Sequence, residues 1–205
     1  MSINLQKGQK VDLTKGNATL KKIMVGLGWD EADSAASKGK SFLGSLMGGG
    51  QSPQVDCDAS AILCNASNKI NEKGDVVYFG NLAHKSGCVK HMGDNLTGAG
   101  DGDDEQIAVN LLDVPSNYEK IVFVVNIYQA VQRKQHFGMI KNAFIRLVDA
   151  DTKAELFKFN LSENYDNMTA MIFGEIYRYQ GDWKFNAMGQ PTTDPGLMEL
   201  VQKYS

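Results

Sequence analysis

Only 4 of the 205 residues are proline and only 3 are cysteine. Cys57, Cys64 and Cys88 make an odd, widely spaced set, which excludes a disulfide framework and predicts three free thiols in a reducing, cytoplasmic setting. No long hydrophobic run is present either. The longest unbroken aliphatic or aromatic stretch, residues 121–125, is far short of a membrane span. The first ten residues, MSINLQKGQK, hold no apolar core of a secretory signal. A basic excess is also missing: the net charge of −3 argues against a nucleic-acid partner.

What the chain does have is an ordinary globular composition, 42% hydrophobic and 22% charged, with 21 glycines to serve tight turns. A single domain of this length buries roughly 70% of its unfolded surface and needs no staples. Short apolar or alternating stretches bounded by Gly, Asn or Asp predict strands at 23–27, 55–63, 75–79, 106–112, 120–128, 143–148, 154–160, 168–179 and 183–188. With so many strands the expected fold is all-β, an antiparallel β-sandwich. Two short helices are expected, at 130–137 and at the C-terminus over 195–204, the second with Asp194 as N-cap and Pro195 at its first position. Residues 31–53 are rich in Gly, Ser and Ala and read as an insertion between two strands of one domain spanning 1–205.

Charge is concentrated in one place. Residues 94–105 carry Asp94, Asp101, Asp103, Asp104 and Glu105 with no Lys or Arg, a formal −5 that leaves the remainder of the chain at +2. Two carboxylates about 5 Å apart repel by roughly 3 kcal/mol at an effective dielectric near 20. Crowding five of them therefore calls for a cation. Hard oxygen donors on a glycine-rich loop, joined by Asn95, Thr97 and carbonyls such as that of Gly100, suit Ca²⁺ better than Mg²⁺, which keeps its waters. The alternative is a solvated acidic loop. An EF-hand is excluded, because the turn position that requires Gly is Gln106 and the twelfth is Leu112.

A second acidic element is Asp56-Cys57-Asp58-Ala59-Ser60. On a strand, Asp56, Asp58 and Ser60 share one face, and Cys57 and Ala59 share the other. Either that polar face is simply wet, or its carboxylates meet the acidic loop. Asp30 is a weaker candidate of the same kind. Other motifs fall away. Gly39-Lys40-Ser41 lacks the first glycine of a phosphate-binding loop, where Ser34 stands, and Cys88 with His91 has no second metal-binding pair. His84, His91 and His136 are scattered, so no triad is visible, and Arg133, Lys134 and His136 read as one face of a solvated helix.

Several stretches together resemble the TerD family of tellurite-resistance and stress-response proteins, over nearly the whole chain. They are Leu5-Gln6-Lys7-Gly8, Val11-Asp12-Leu13, Val25-Gly26-Leu27-Gly28-Trp29-Asp30, Asp56-Cys57-Asp58-Ala59-Ser60, residues 93–105, Phe137-Gly138, Ala143-Phe144-Ile145-Arg146-Leu147, Gly174-Glu175-Ile176-Tyr177-Arg178 and Trp183-Lys184-Phe185. The resemblance implies a non-enzymatic cytoplasmic sandwich that binds Ca²⁺, two ions, through paired acidic motifs. It also implies a role in resistance to tellurite and other stresses with a membrane-protein or other stress-system partner at the inner membrane face. Asp30, Asp56, Asp58, Asp94, Asn95, Gly100, Asp101, Asp103, Asp104 and Glu105 are the expected metal residues. Two departures stand out: Gln54 replaces an Asp usual in related sequences, and the 31–53 insertion is longer than the usual link. A calcium-dependent lipid- or sugar-recognition module is the alternative from another class. A metal-dependent phosphoesterase is less favoured, because no suited His or Lys stands near the acids.

Overall fold

The structure, a computed structural model, describes residues 2–31, 55–93, 103–161, 163 and 165–205. Twelve strands form two six-stranded sheets among these residues. They are β1 (Ile3–Leu5), β2 (Lys10–Asp12), β3 (Lys22–Glu31), β4 (Cys57–Cys64), β5 (Val76–Val77), β6 (Val89–His91), β7 (Glu105–Asn110), β8 (Lys120–Ile127), β9 (Ile140–Asp149), β10 (Glu155–Asn160), β11 (Ala170–Tyr179) and β12 (Asp182–Thr192). One sheet runs β1-β10-β9-β3-β7-β6 and the other β2-β12-β11-β8-β4-β5. All pairings are antiparallel except β1 with β10, which is parallel. The antiparallel sandwich read from sequence is the observed fold.

The two sheets bury their faces differently. In the first, β7 alternates buried and half-buried positions, so its outer face meets solvent. In the second, β4 is buried at every residue and β8 at all but its first. Inward residues such as Val25, Leu27, Trp29, Ile107, Ile145, Phe123 and Phe185 make the main core. On the far side of β4 and β8, Ile62, Cys64, Val122, Val124 and Ile172 pack under Leu200, Val201 and Tyr204 of the C-terminal segment. This explains the continuous apolar run at 121–125: a strand covered on both faces has no reason to alternate.

Several expectations need correction. The C-terminal helix α2 (Leu197–Val201) is capped at Gly196 and followed by a 3₁₀ turn over Gln202–Tyr204. Asp194 is not its N-cap; its carboxylate pairs with Lys203 and its carbonyl accepts the Thr169 hydroxyl. The helix expected over 130–137 is only α1 (Ala130–Arg133), ended by Lys134 at φ 54°, whose N–H turns back to the Ala130 and Val131 carbonyls. The basic face proposed there does not exist. Arg133 folds back 3.6 Å from Asp56 and over the Tyr128 ring, while His136 lies beyond the helix beside Asp166. The strand expected at 75–79 shrinks to two residues, because Asp75 closes a 3₁₀ turn and the Asn81 amide caps the Val76 carbonyl. β1, β2 and β6 have three residues each and carry too little alternation to read. The 31–53 insertion falls almost wholly outside the described residues.

All three cysteines are free and buried. Burial pushes the Cys57 and Cys88 thiols up, and Cys64 is raised to about 12. The expected outcome with a thiol reagent near pH 8 is little reaction in the native state and three equivalents after denaturation. Leu200→Ala should lower unfolding stability by about 2–4 kcal/mol, because it opens a cavity over β4 and β8. Urea titration reads that change, and a loss within error of zero would show that the segment does not seal the sheet.

Candidate metal centre at one end of the sandwich

The antiparallel registers bring the two acidic motifs to the same end of the sandwich. β3 finishes where β7 begins, with Leu27 opposite Glu105, and β4 begins where β8 finishes, with Cys57 opposite Ile127. Across the core, the His91 Nε2–H reaches the Ala59 carbonyl at 3.1 Å, tying β6 of one sheet to β4 of the other. The Cys57 thiol lies among these charges: after burial, the carboxylates of Asp58, Asp56, Asp104 and Glu105 are what raise it.

Three consecutive carboxylates at the start of β7 point three ways. Asp103 lies over the outer face of the first sheet, its side chain only 1% exposed, where Arg146 grips it at 2.6 Å. Asp104 stays at the edge, accepting the Trp29 N–H at 2.8 Å while its own N–H reaches the Leu27 carbonyl. Burial holds the Asp104 carboxyl above the ordinary range; the Trp29 amide opposes this, and the charges of Asp30, Asp103 and Glu105 add to it. Glu105 turns into the core and accepts His91 Nε2–H at 2.8 Å, both side chains being about 1% exposed. The other imidazole nitrogen accepts the Gly93 N–H at 3.2 Å, which fixes the tautomer.

Asp58 is 4% exposed and sits on β4 directly opposite Asn126, whose amide donates to it at 3.4 Å. Ser60, on the same face, is fully buried. That face is therefore not wet. Asp56 precedes β4 beside Arg133, and Asp30 is exposed at the end of β3, held by the Asn142 amide at 2.7 Å. Asp94, Asn95, Gly100 and Asp101 lie outside the described residues, as do Gln54 and residues 39–41. Among the described residues no three His, Cys, Asp or Glu side chains converge on one point as a metal cluster.

The donor set still fits a hard cation. Asn126 Oδ1 and Ser60 Oγ are buried without a hydrogen-bond partner on the face that carries Asp58. Buried oxygens left in that state are costly unless something positive or a donor reaches them. Asn126 was not foreseen, although a lone Asn ending the apolar run at 121–125 was a usable signal. Arg146 and His91 were not foreseen as partners, because both depend on strand register.

One further cluster belongs to the scaffold. Asp75 is wholly buried and accepts the Tyr118 hydroxyl at 2.6 Å, the Asn71 and Glu72 amides and His84 Nε2 at 3.3 Å. His84 Nδ1 faces Ser86 Oγ at 2.7 Å and the Cys88 sulfur at 3.8 Å. Although a Ser, a His and an Asp stand in line, the serine oxygen also takes the Cys88 N–H, and the imidazole is sealed edge-on against Tyr118. This arrangement ties a long loop to the core.

A two-sheet antiparallel sandwich with acidic residues of β4 and β7 at one end is the class of protein that the fold and site define. The TerD domain model matches residues 1–204, and the chain belongs to that family. It is 52% identical over 204 residues to stress response protein SCP2 of Bacillus subtilis (strain 168), covering 100% of both chains. It is 43% identical over 204 residues to tellurium resistance protein TerD of Serratia marcescens, covering 100% of this chain and 97% of that one. The fold matches the crystal structure of a homologue of telluride resistance protein (TerD) from Streptomyces coelicolor A3(2), with TM-score 0.64, 18% identity and coverage of 91% and 98%.

The buried pair and the exposed carboxylate should behave oppositely in metal-free protein. Glu105→Ala leaves the buried His91 imidazole without its carboxylate partner in the core and should cost about 3 kcal/mol. Asp30→Ala should stay within about 0.5 kcal/mol. Urea unfolding in EDTA compares them, and equal losses would contradict the assigned environments.

Proposed function

We propose that the protein is a calcium-binding, non-enzymatic stress-response module linked to tellurite resistance, which works in the cytoplasm through a protein or membrane-surface partner. The observation that carries this reading is that Asp56 and Asp58 at the start of β4 and Asp104 and Glu105 at the start of β7 lie at the same end of the sandwich, bridged by His91, beside two buried oxygens, Asn126 Oδ1 and Ser60 Oγ, that have no hydrogen-bond partner. Residues almost fifty positions apart in sequence share one strand end, where mutual repulsion opposes folding unless a cation offsets it. The donors are carboxylate, amide and hydroxyl oxygens, the set that Ca²⁺ takes six to eight at a time. Asp58, Asn126, Asp56, Asp104 and Asp30 are the described residues that would hold the ions, together with the 94–102 loop. Bound cations would offset much of the negative charge at that end and order it for a partner. The names of relatives, a stress response protein and a tellurium resistance protein, support the physiological half of the reading.

Binding should stabilise the fold by roughly 2.7 kcal/mol at one hundred times the dissociation constant. Thermal melts in EDTA, Mg²⁺ and Ca²⁺ test it, and superimposable curves would remove calcium from the account. Changing Asp56 and Asp58 together to Asn should weaken affinity at least tenfold, about 1.4 kcal/mol. An unchanged calorimetric isotherm would take β4 out of the site.

A lipid-surface reading is favoured by one feature. Exposed Met92 and Tyr128 flank the acidic end, Tyr128 through its N–H to the Asp56 carbonyl and Met92 through its N–H to the Gln106 carbonyl, and Phe79 stands edge-on to Tyr128. Flotation with phosphatidylserine vesicles, with and without Ca²⁺, separates this reading from a protein partner. Calcium-dependent flotation supports the lipid surface, and none excludes it.

A further inference from the structure

Arg146 on β9, Gly26 on β3 and Gln106 on β7 lie side by side in one row across the first sheet, Gly26 being the register partner of both. The middle position has no side chain, and the carboxyl of Asp103 occupies the space above it. A Cβ at Gly26 would collide with all three carboxyl atoms. The two flanking side chains close on that carboxylate. Arg146 Nε donates to Oδ1 at 2.6 Å and Nη2 to Oδ2 at 3.1 Å, and Gln106 Nε2 donates to Oδ2 at 3.1 Å. Glu155 steadies the guanidinium from the other side at 3.2 Å. Such a side-on, two-point grip fixes orientation as well as charge.

We infer that Asp103 is the anchor of the acidic loop and not one of its cation ligands, and that Arg146 is a positioning residue for the metal centre. The sequence makes Asp103 and Asp104 look equivalent; the structure separates them. Both Asp103 oxygens are spent on donors of the sheet, and the backbone that follows is thereby set so that Asp104 accepts the Trp29 N–H and donates its own to the Leu27 carbonyl. The inference rests on the calcium reading and gives it an unusual sign. Removing a nearby positive charge by Arg146→Gln should tighten Ca²⁺ binding on electrostatic grounds alone. If Arg146 positions the ligands, the same change weakens binding.

The test is a cycle of the full-length parent, Asp103→Asn, Arg146→Gln and the double variant, with Arg146→Lys as the conservative control. In calorimetric titration with Ca²⁺, each single change should lower affinity at least tenfold, the double variant should be no weaker than the singles, and lysine should restore part of the loss. Tighter or unchanged binding in Arg146→Gln would overturn the proposal. So would an Asp103→Asn effect of the same size with and without Arg146, the mark of a direct ligand. Amide exchange in EDTA gives an independent readout. The Trp29 and Asp104 amides should exchange faster in Arg146→Gln than in the parent, while those of β6 stay unchanged. If the parent binds no Ca²⁺, the functional reading fails, and the anchor is then judged by exchange alone: unaltered protection at both amides rejects it.

Discussion

Like charges crowded at the end of a sandwich are the constraint from which the rest of this structure follows. Each described carboxylate there has its own compensating group: Arg146 for Asp103, the Trp29 amide for Asp104, His91 for Glu105, Arg133 beside Asp56, Asn126 for Asp58 and Asn142 for Asp30. These partners come from β3, β6, β8, α1 and β9, so the centre cannot be assembled by any local segment. It exists only when both sheets are in register.

The unequal burial of the two sheets serves that assembly. The second sheet is closed on its far side by α2 and the turn after it, giving β4 and β8 the rigidity of fully covered strands. The first sheet keeps an open outer face, and that is where Asp103 can be drawn down onto Gly26 without displacing a core side chain. Glu105, two residues further on, turns inward instead. A bulge between Gly28 and Asp30 in the β3–β9 pairing lets β3 present the Trp29 amide to Asp104 while the Trp29 ring stays in the core.

The fold class and most long strands were legible because alternation and glycine-bounded apolar runs report burial directly. The three-residue strands were not, since three positions hold less than two periods. Helix ends were misread for a local reason. Asp194 and Pro195 form a plausible start in sequence, but Asp194 is taken by Lys203 and Thr169, and Gly196 opens the helix instead. At the acidic end, residue types pointed to the right region yet not to roles. Nothing in Gly-Asp-Asp-Glu says that the first carboxylate is withdrawn to an arginine more than forty residues away, the second stays at the edge and the third is buried. That partition comes from strand pairing, which a single sequence does not encode visibly.

The sign of the charge also limits how a protein of this kind can take part in tellurite resistance. Tellurite is an oxyanion. The expected metal residues supply eight carboxylates, Asp30, Asp56, Asp58, Asp94, Asp101, Asp103, Asp104 and Glu105. Two divalent cations would bring four positive charges, and Arg146 and Arg133 two more, so even a fully loaded end stays formally negative. An oxyanion approaching it meets net repulsion, softened only by screening over roughly 8–10 Å at ordinary ionic strength. Direct capture of the oxyanion at this end is therefore disfavoured by the same electrostatics that favour a cation. On the proposed calcium reading, a contribution to resistance would come through a cation-ordered surface that acts on a partner and not through contact with the toxic ion.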